Sequence, residues 1–239
     1  MNRPRLTPSI IPNLFTAMNM FCGFLSVINA SQHNFIYAAW LIIIASIFDA
    51  LDGMMARLTN SSSELGVELD SLSDLVSFGL APAFLIYQTY LHQFNSVGVV
   101  ISSLLMIAGG FRLARFNVQL VGFDKSYFKG LPIPSSAITI AAFVLAYYNK
   151  GAGFSSPYAD FIIPLVLVLS YLMVSKIRYE TLPKFTTAGV KEKPFHFGFV
   201  VISGVILLIT SGKALFFIFV FIILFGIFRH LFYANSKKN

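Results

Sequence analysis

The stretch FDALDGMMARLTNSSSELGVELDSLSDLVSFG, residues 48–79, sets Asp49, Asp52, Asp70 and Asp74 into the ends of two strongly apolar runs. The polar segment between them, LTNSSSEL (58–65), returns the chain, and its Asn and Ser residues suit the cap of an incoming helix. An ionised aspartate costs on the order of 3 kcal/mol at the centre of a membrane-spanning helix, so such residues face a bundle interior, a partner or a cavity. Four at one depth demand a positive counterpart.

At 100° per residue, with Asp49 at zero, Asp52, Gly53 and Ala56 fall at roughly −60°, +40° and −20°. On the following helix, with Gly66 at zero, Asp70, Ser73, Asp74 and Ser77 fall at roughly +40°, −20°, +80° and +20°. Each helix therefore carries its carboxylates on one face. Two antiparallel helices present all four to a shared volume near one membrane surface.

The rest of the chain agrees with a membrane setting. Its 239 residues are 56% hydrophobic and 11% charged, with 26 Phe, and the mean hydropathy is +0.76. That leaves too little polar surface for a soluble globule. Backbone groups in lipid must bond within their own segment, and no alternating strand pattern runs through the sequence, so the apolar runs are expected as helices. Eight are expected, near 12–30, 35–57, 66–91, 97–117, 133–148, 159–175, 196–210 and 214–233. The fold class expected is an all-α polytopic transmembrane bundle forming one membrane-embedded domain over 1–239.

Loop charge supports that count. With the N-terminus cytoplasmic and eight helices alternating, only Lys150 and Lys213 of the 17 Lys and Arg residues fall outside, leaving 15 inside. The positive-inside rule requires such a bias, and it places both termini and the carboxylates at the cytoplasmic face of the cell membrane. The basic residues are scattered over short loops, which points to anionic lipid and not to nucleic acid as their partner. The single Cys22 forms no intramolecular disulfide, and His33, His92, His196 and His230 have no ligand-set spacing.

Hard oxygen donors without clustered Cys or His select Mg²⁺, Mn²⁺ or Ca²⁺, ions that also bind substrate phosphates. Four carboxylates carry a charge that two divalent ions would neutralise. Gly53, Ala56 and Gly66, small residues on the same faces, either leave room for a ligand or allow close helix packing. A divalent-cation carrier also uses intramembrane carboxylates, but near the midplane and with broken helices, whereas these sit toward one surface.

Asp49-x2-Asp52-Gly53-x2-Ala56-Arg57-x8-Gly66-x3-Asp70-x3-Asp74 resembles the full signature of the CDP-alcohol phosphotransferases at all eight specified positions. The resemblance implies a six-helix core, usually homodimeric, to which the helix pair at about 196–233 would be an addition. It also implies that Asp49, Asp52, Asp70 and Asp74 hold divalent metal, Mg²⁺ or Mn²⁺, and that Asp74 activates the acceptor hydroxyl. Gly53, Ala56, Arg57 and Gly66 would form the CDP-lipid site.

Within the family, PNLFTAMNMFCG (12–23), FRLARFN (111–117) and FKGLPIPSSA (128–137) are similar to the branch that uses serine. That similarity implies transfer of a phosphatidyl group from CDP-diacylglycerol to L-serine. From chemistry alone, Arg112, Arg115, Asn117 and Lys129 supply donors for a phosphate or for the carboxylate of serine. Ser135 and Ser136 are expected to cap the fifth helix or to contact substrate. Glycerol 3-phosphate and inositol stay open as acceptors on the residues themselves.

Overall fold

In the computed structural model the described residues are 10–59, 63–120, 127–180 and 214–236, and helices dominate them. The helices are α1 (Ile10–Ser31), α2 (Phe35–Thr59), α3 (Glu64–Thr89), α4 (Asn95–Leu120), α5 (Ile133–Tyr147), α6 (Ile162–Val174) and α7 (Ala214–Ser236). α1 to α4 contain stretches long and apolar enough to cross a membrane, and α5 to α7 supply shorter apolar ones. The chain is thus an all-α polytopic membrane bundle. The helix expected over 196–210 lies outside the described residues.

α1 and α2 form a tight antiparallel hairpin through a turn in which His33 takes a φ of 60°. Small buried residues along it, Ala30, Ala38, Ala39 and Ala45, let the two backbones approach, and Ser26 Oγ donates across to the Ala38 carbonyl at 2.9 Å. α3 begins at Ser63, whose Oγ accepts from the Gly66 amide at 3.0 Å, as the polar segment foretold.

Leu75–Leu80 of α3 is π-helical, a departure from the regular helix expected there. The Ala81 amide reaches back to the Val76 carbonyl, and Pro82 follows. A proline ring clashes with the carbonyl four residues earlier and donates no hydrogen bond, so a wider turn just before it lets the helix continue.

α5 is short for a span, about 22 Å at 1.5 Å per residue. It packs against α2, α3, α6 and α7, and Ala137, Ile140, Ala141 and Val144 on it are fully buried. Interlocked rings close its far end: Phe143, Tyr147, Phe154, Tyr158 and Phe216, with Tyr147 and Tyr158 stacked at 4.1 Å.

Two small antiparallel ladders appear where no strand was expected, since two or three residues are too few to show alternation. β2 (Tyr148–Asn149) pairs with β3 (Gly153–Phe154), and β1 (Tyr127–Lys129) pairs with β4 (Arg178–Glu180). The second ladder ties the chain entering α5 to the chain leaving α6. α7 crosses between these features: Phe216 joins the ring cluster, and Gly226 leaves room for the buried Tyr179 ring of β4.

Candidate active site

The end of α2 and the start of α3 bring three of the four expected carboxylates into one cluster. Asp49, Asp70 and Asp74 each offer an oxygen within 4.8 Å of the others. Asp52 is buried beside this trio but outside it, its Oδ2 accepting from Thr16 Oγ1 at 3.0 Å.

α1 backs the site. Ser73 Oγ donates to the Thr16 carbonyl at 3.0 Å, and Ser77 Oγ donates to the Asn19 carbonyl at 2.8 Å. Asn19 Nδ2 in turn faces Asp74 Oδ1 at 3.5 Å. At Gly23 the helices approach so closely that a Cβ would collide with Ser77. Thr16 and Asn19 were missed as site residues in the sequence. The available signal was the three-residue spacing of Asn13, Thr16 and Asn19 in an apolar run, which puts polar groups on one face.

Arg112 of α4 is buried, 8% exposed, and within electrostatic reach of Asp74 and Asp49. It supplies one positive charge against four carboxylates. Arg57 is exposed at the end of α2, and a Cβ built on Gly53 would meet only its Nη1, at 3.7 Å. The face carrying Gly53 is therefore open. Ala56, half-buried, is one turn further on. Gly66 is more confined, since a Cβ there would press Ser63 Oγ at 3.1 Å and approach Asn13 Oδ1 at 3.6 Å.

The remaining sequence candidates have structural partners. Arg115 Nη1 and Nη2 donate to the Val174 and Met173 carbonyls at 3.0 and 3.2 Å, a cation bonded to the end of α6. Asn117 Nδ2 donates to Ser71 Oγ at 2.9 Å, joining α4 to α3. Lys129 lies in β1 opposite Arg178. Next to it, Gly130 has a φ of 87°, and a Cβ would collide with the Met173 carbonyl, so glycine is required there. Ser135 and Ser136 do not cap α5. The cap position is Pro132, without a side-chain bond, because the Ser136 amide already reaches the Pro132 carbonyl at 3.2 Å and Ser135 lies within the first turn.

Asp70 Oδ1 is buried with no hydrogen-bond partner, as is Asn19 Oδ1. Leaving a buried acceptor unsatisfied costs about 1–3 kcal/mol, and more for a charged group. Converging hard oxygens, an orphaned carboxylate oxygen and an excess of negative charge fit a divalent metal ion.

Comparison with known proteins covers the helices that build this site. The sequence profile of the CDP-alcohol phosphatidyltransferases matches residues 9–172, spanning α1 to α5 and nearly all of α6. The chain belongs to the CDP-alcohol phosphatidyltransferase family. Among family relatives, it is 40% identical over 175 residues to a CDP-diacylglycerol–serine O-phosphatidyltransferase of Helicobacter pylori, covering 73% of each chain. It is 38% identical over 182 residues to an archaetidylserine synthase of Methanothermobacter thermautotrophicus, covering 75% of this chain and 73% of that one. A CDP-diacylglycerol–serine O-phosphatidyltransferase of Bacillus subtilis is 34% identical over 189 residues, 76% of this chain and 96% of its own. α7 lies beyond the family match.

Proposed function

We propose that this chain transfers the phosphatidyl group of CDP-diacylglycerol to the hydroxyl of L-serine, giving phosphatidylserine and CMP. The observation that carries the reading is the convergence of Asp49, Asp70 and Asp74 within 4.8 Å on the family signature. The serine-using relatives supply the acceptor.

Asp74 takes the proton of the serine hydroxyl as that oxygen attacks the phosphorus bearing the diacylglycerol. The new P–O bond forms, the bond from that phosphorus to the bridging oxygen breaks, and its electron pair leaves on CMP. No covalent enzyme intermediate is required. Asp49, Asp52, Asp70 and Asp74 hold Mg²⁺ or Mn²⁺, in two ions, whose chemistry when bound is to neutralise charge on the diphosphate. Gly53, Ala56, Arg57 and Gly66 form the wall against which CDP lies. Arg112 is placed to hold a substrate phosphate or the serine carboxylate. Arg115 and Asn117 tie α4 to α6 and α3 beside it, and Lys129 and Ser135 are the further candidates for binding the acceptor or a phosphate.

The whole chain acts as one membrane domain, with the site and both termini facing the cytoplasm from the cell membrane, and as a homodimer. The 15-to-2 division of basic residues supports the orientation. The deciding assay offers serine, glycerol 3-phosphate and inositol separately with CDP-diacylglycerol and Mn²⁺ to purified protein and measures CMP. Release with serine alone is expected. Preference for another alcohol would reassign the acceptor within the family, and undiminished release in chelator would remove the metal.

A further inference from the structure

We infer that Thr16 of α1 is a positioning residue for Asp52, orienting the one carboxylate that stands outside the three-oxygen cluster. The inference rests on the proposed role of Asp52 as a metal ligand. Thr16 and Asp52 are 4% and 6% exposed, and their side chains meet at 3.0 Å although they stand 36 positions apart in sequence.

The Thr16 hydroxyl has one proton and two acceptors in reach, Asp52 Oδ2 and the Pro12 carbonyl of its own helix at 3.2 Å. An ionised carboxylate only accepts, and a hydrogen bond to a charged group is the stronger, so the proton goes to Asp52. The hydroxyl is itself held in place. Thr16 is β-branched and stiff at χ1, and its carbonyl receives Ser73 Oγ at 3.0 Å. α3 therefore fixes α1, and α1 fixes a carboxylate on α2.

A carboxylate has about four lone-pair sites, so the bond from Thr16 leaves acceptor capacity for an ion. Held this way, Asp52 cannot swing freely toward Asp49 and Asp70, which lie close enough to repel it. The bond pre-orients a ligand in the way that partners behind metal ligands generally do.

The test is a titration of purified full-length protein with Mn²⁺ alone, following unbound Mn²⁺ by electron paramagnetic resonance, with serine kinetics run alongside. Thr16→Val keeps the shape and removes the hydroxyl, and should weaken Mn²⁺ binding about ten- to a hundredfold. Thr16→Ser, which restores the hydroxyl, should bind like the parent. Thr16→Val should lower kcat at saturating Mn²⁺ without raising KM for serine, and should add nothing to Asp52→Asn. Thr16→Ala takes its place if the Val variant does not insert. Parent-like Mn²⁺ binding in Thr16→Val, alongside weakened binding in Asp52→Asn, would overturn the inference and leave the metal reading standing. An undiminished effect of Thr16→Val on the Asp52→Asn background would make Thr16 a packing residue and also overturn it. Parent-like binding in Asp52→Asn would overturn the metal role of Asp52 itself, and the inference with it.

Discussion

At one end of α2, Phe35 meets Tyr148 edge-on at 5.1 Å, next to the rings that close α5. About 21 Å further along the same helix, at 1.5 Å per residue, Asp49 faces Asp70 and Asp74. Both ends join separate elements of the fold, by opposite means. The ring end gains from every contact it makes, through dispersion and edge-to-face geometry worth about 0.5–1.5 kcal/mol per pair. The carboxylate end holds like charges together, with an oxygen of Asp70 unpartnered. It keeps its shape through Ser73, Ser77 and Thr16, which tie α1 to α2 and α3 around the charges. The comparison teaches that packing at the far end and hydroxyl bonds beside the site offset an arrangement that is unfavourable until a cation arrives. Local rules are broken where the chemistry sits.

Substitutions at the two ends should separate turnover from stability. The largest effect is expected for Asp70→Ala. CMP release should fall by more than about a thousandfold, roughly 4 kcal/mol of lost transition-state stabilisation, while the thermal midpoint of the metal-free protein holds or rises as like-charge repulsion is relieved. A collapse of the midpoint would show that the cluster stabilises the fold, and the contrast between the ends would go. Asp74→Asn comes next, with turnover down by about 10²–10⁴ and metal-dependent binding of CDP retained in calorimetry. Binding lost as fully as in Asp49→Ala would make Asp74 chiefly a ligand and not a base.

Arg112→Ala removes a buried charged donor worth roughly 1.5–3 kcal/mol, so initial rates should drop about ten- to a hundredfold in protein that inserts normally. An unchanged rate would confine Arg112 to balancing charge within the bundle. Gly53→Leu projects an isobutyl group into the open face and should raise KM for CDP-diacylglycerol about five- to thirtyfold, about 1–2 kcal/mol, leaving KM for serine alone. Equal changes in both constants would indicate disturbed helix packing. At the ring end, Phe143→Ala should lower stability by about 3 kcal/mol in thermal unfolding, yet leave turnover of the folded fraction within about twofold. A large loss of turnover there would couple the two ends and break the comparison.

Much of the site was legible in residues 48–79 because the information is local. Helix rotation alone puts Asp49 with Asp52 and Asp70 with Asp74 on single faces, and the short return between the helices sets them at one depth. Ser63 capping α3 is local in the same sense. Arg115 shows where this reading stops. In sequence it is one turn from Arg112 and looks like a second phosphate donor, but the fold gives its guanidinium the carbonyls of Met173 and Val174, 58 and 59 positions away.

By itself the sequence determined the membrane class, the direction in which the carboxylates point, and the family to which their spacing belongs. Hydropathy, charge bias and a 3.6-residue period are properties of segments and need no neighbour to be read. Only the tertiary structure decided that three aspartates converge while Thr16 holds the fourth aside, that Ser73 and Ser77 grip α1, and that Arg112 faces the carboxylates while Arg115 bonds to α6. Those outcomes depend on which helix packs beside which. A hydroxyl or guanidinium takes the nearest acceptor in space, and that acceptor lies dozens of residues away along the chain.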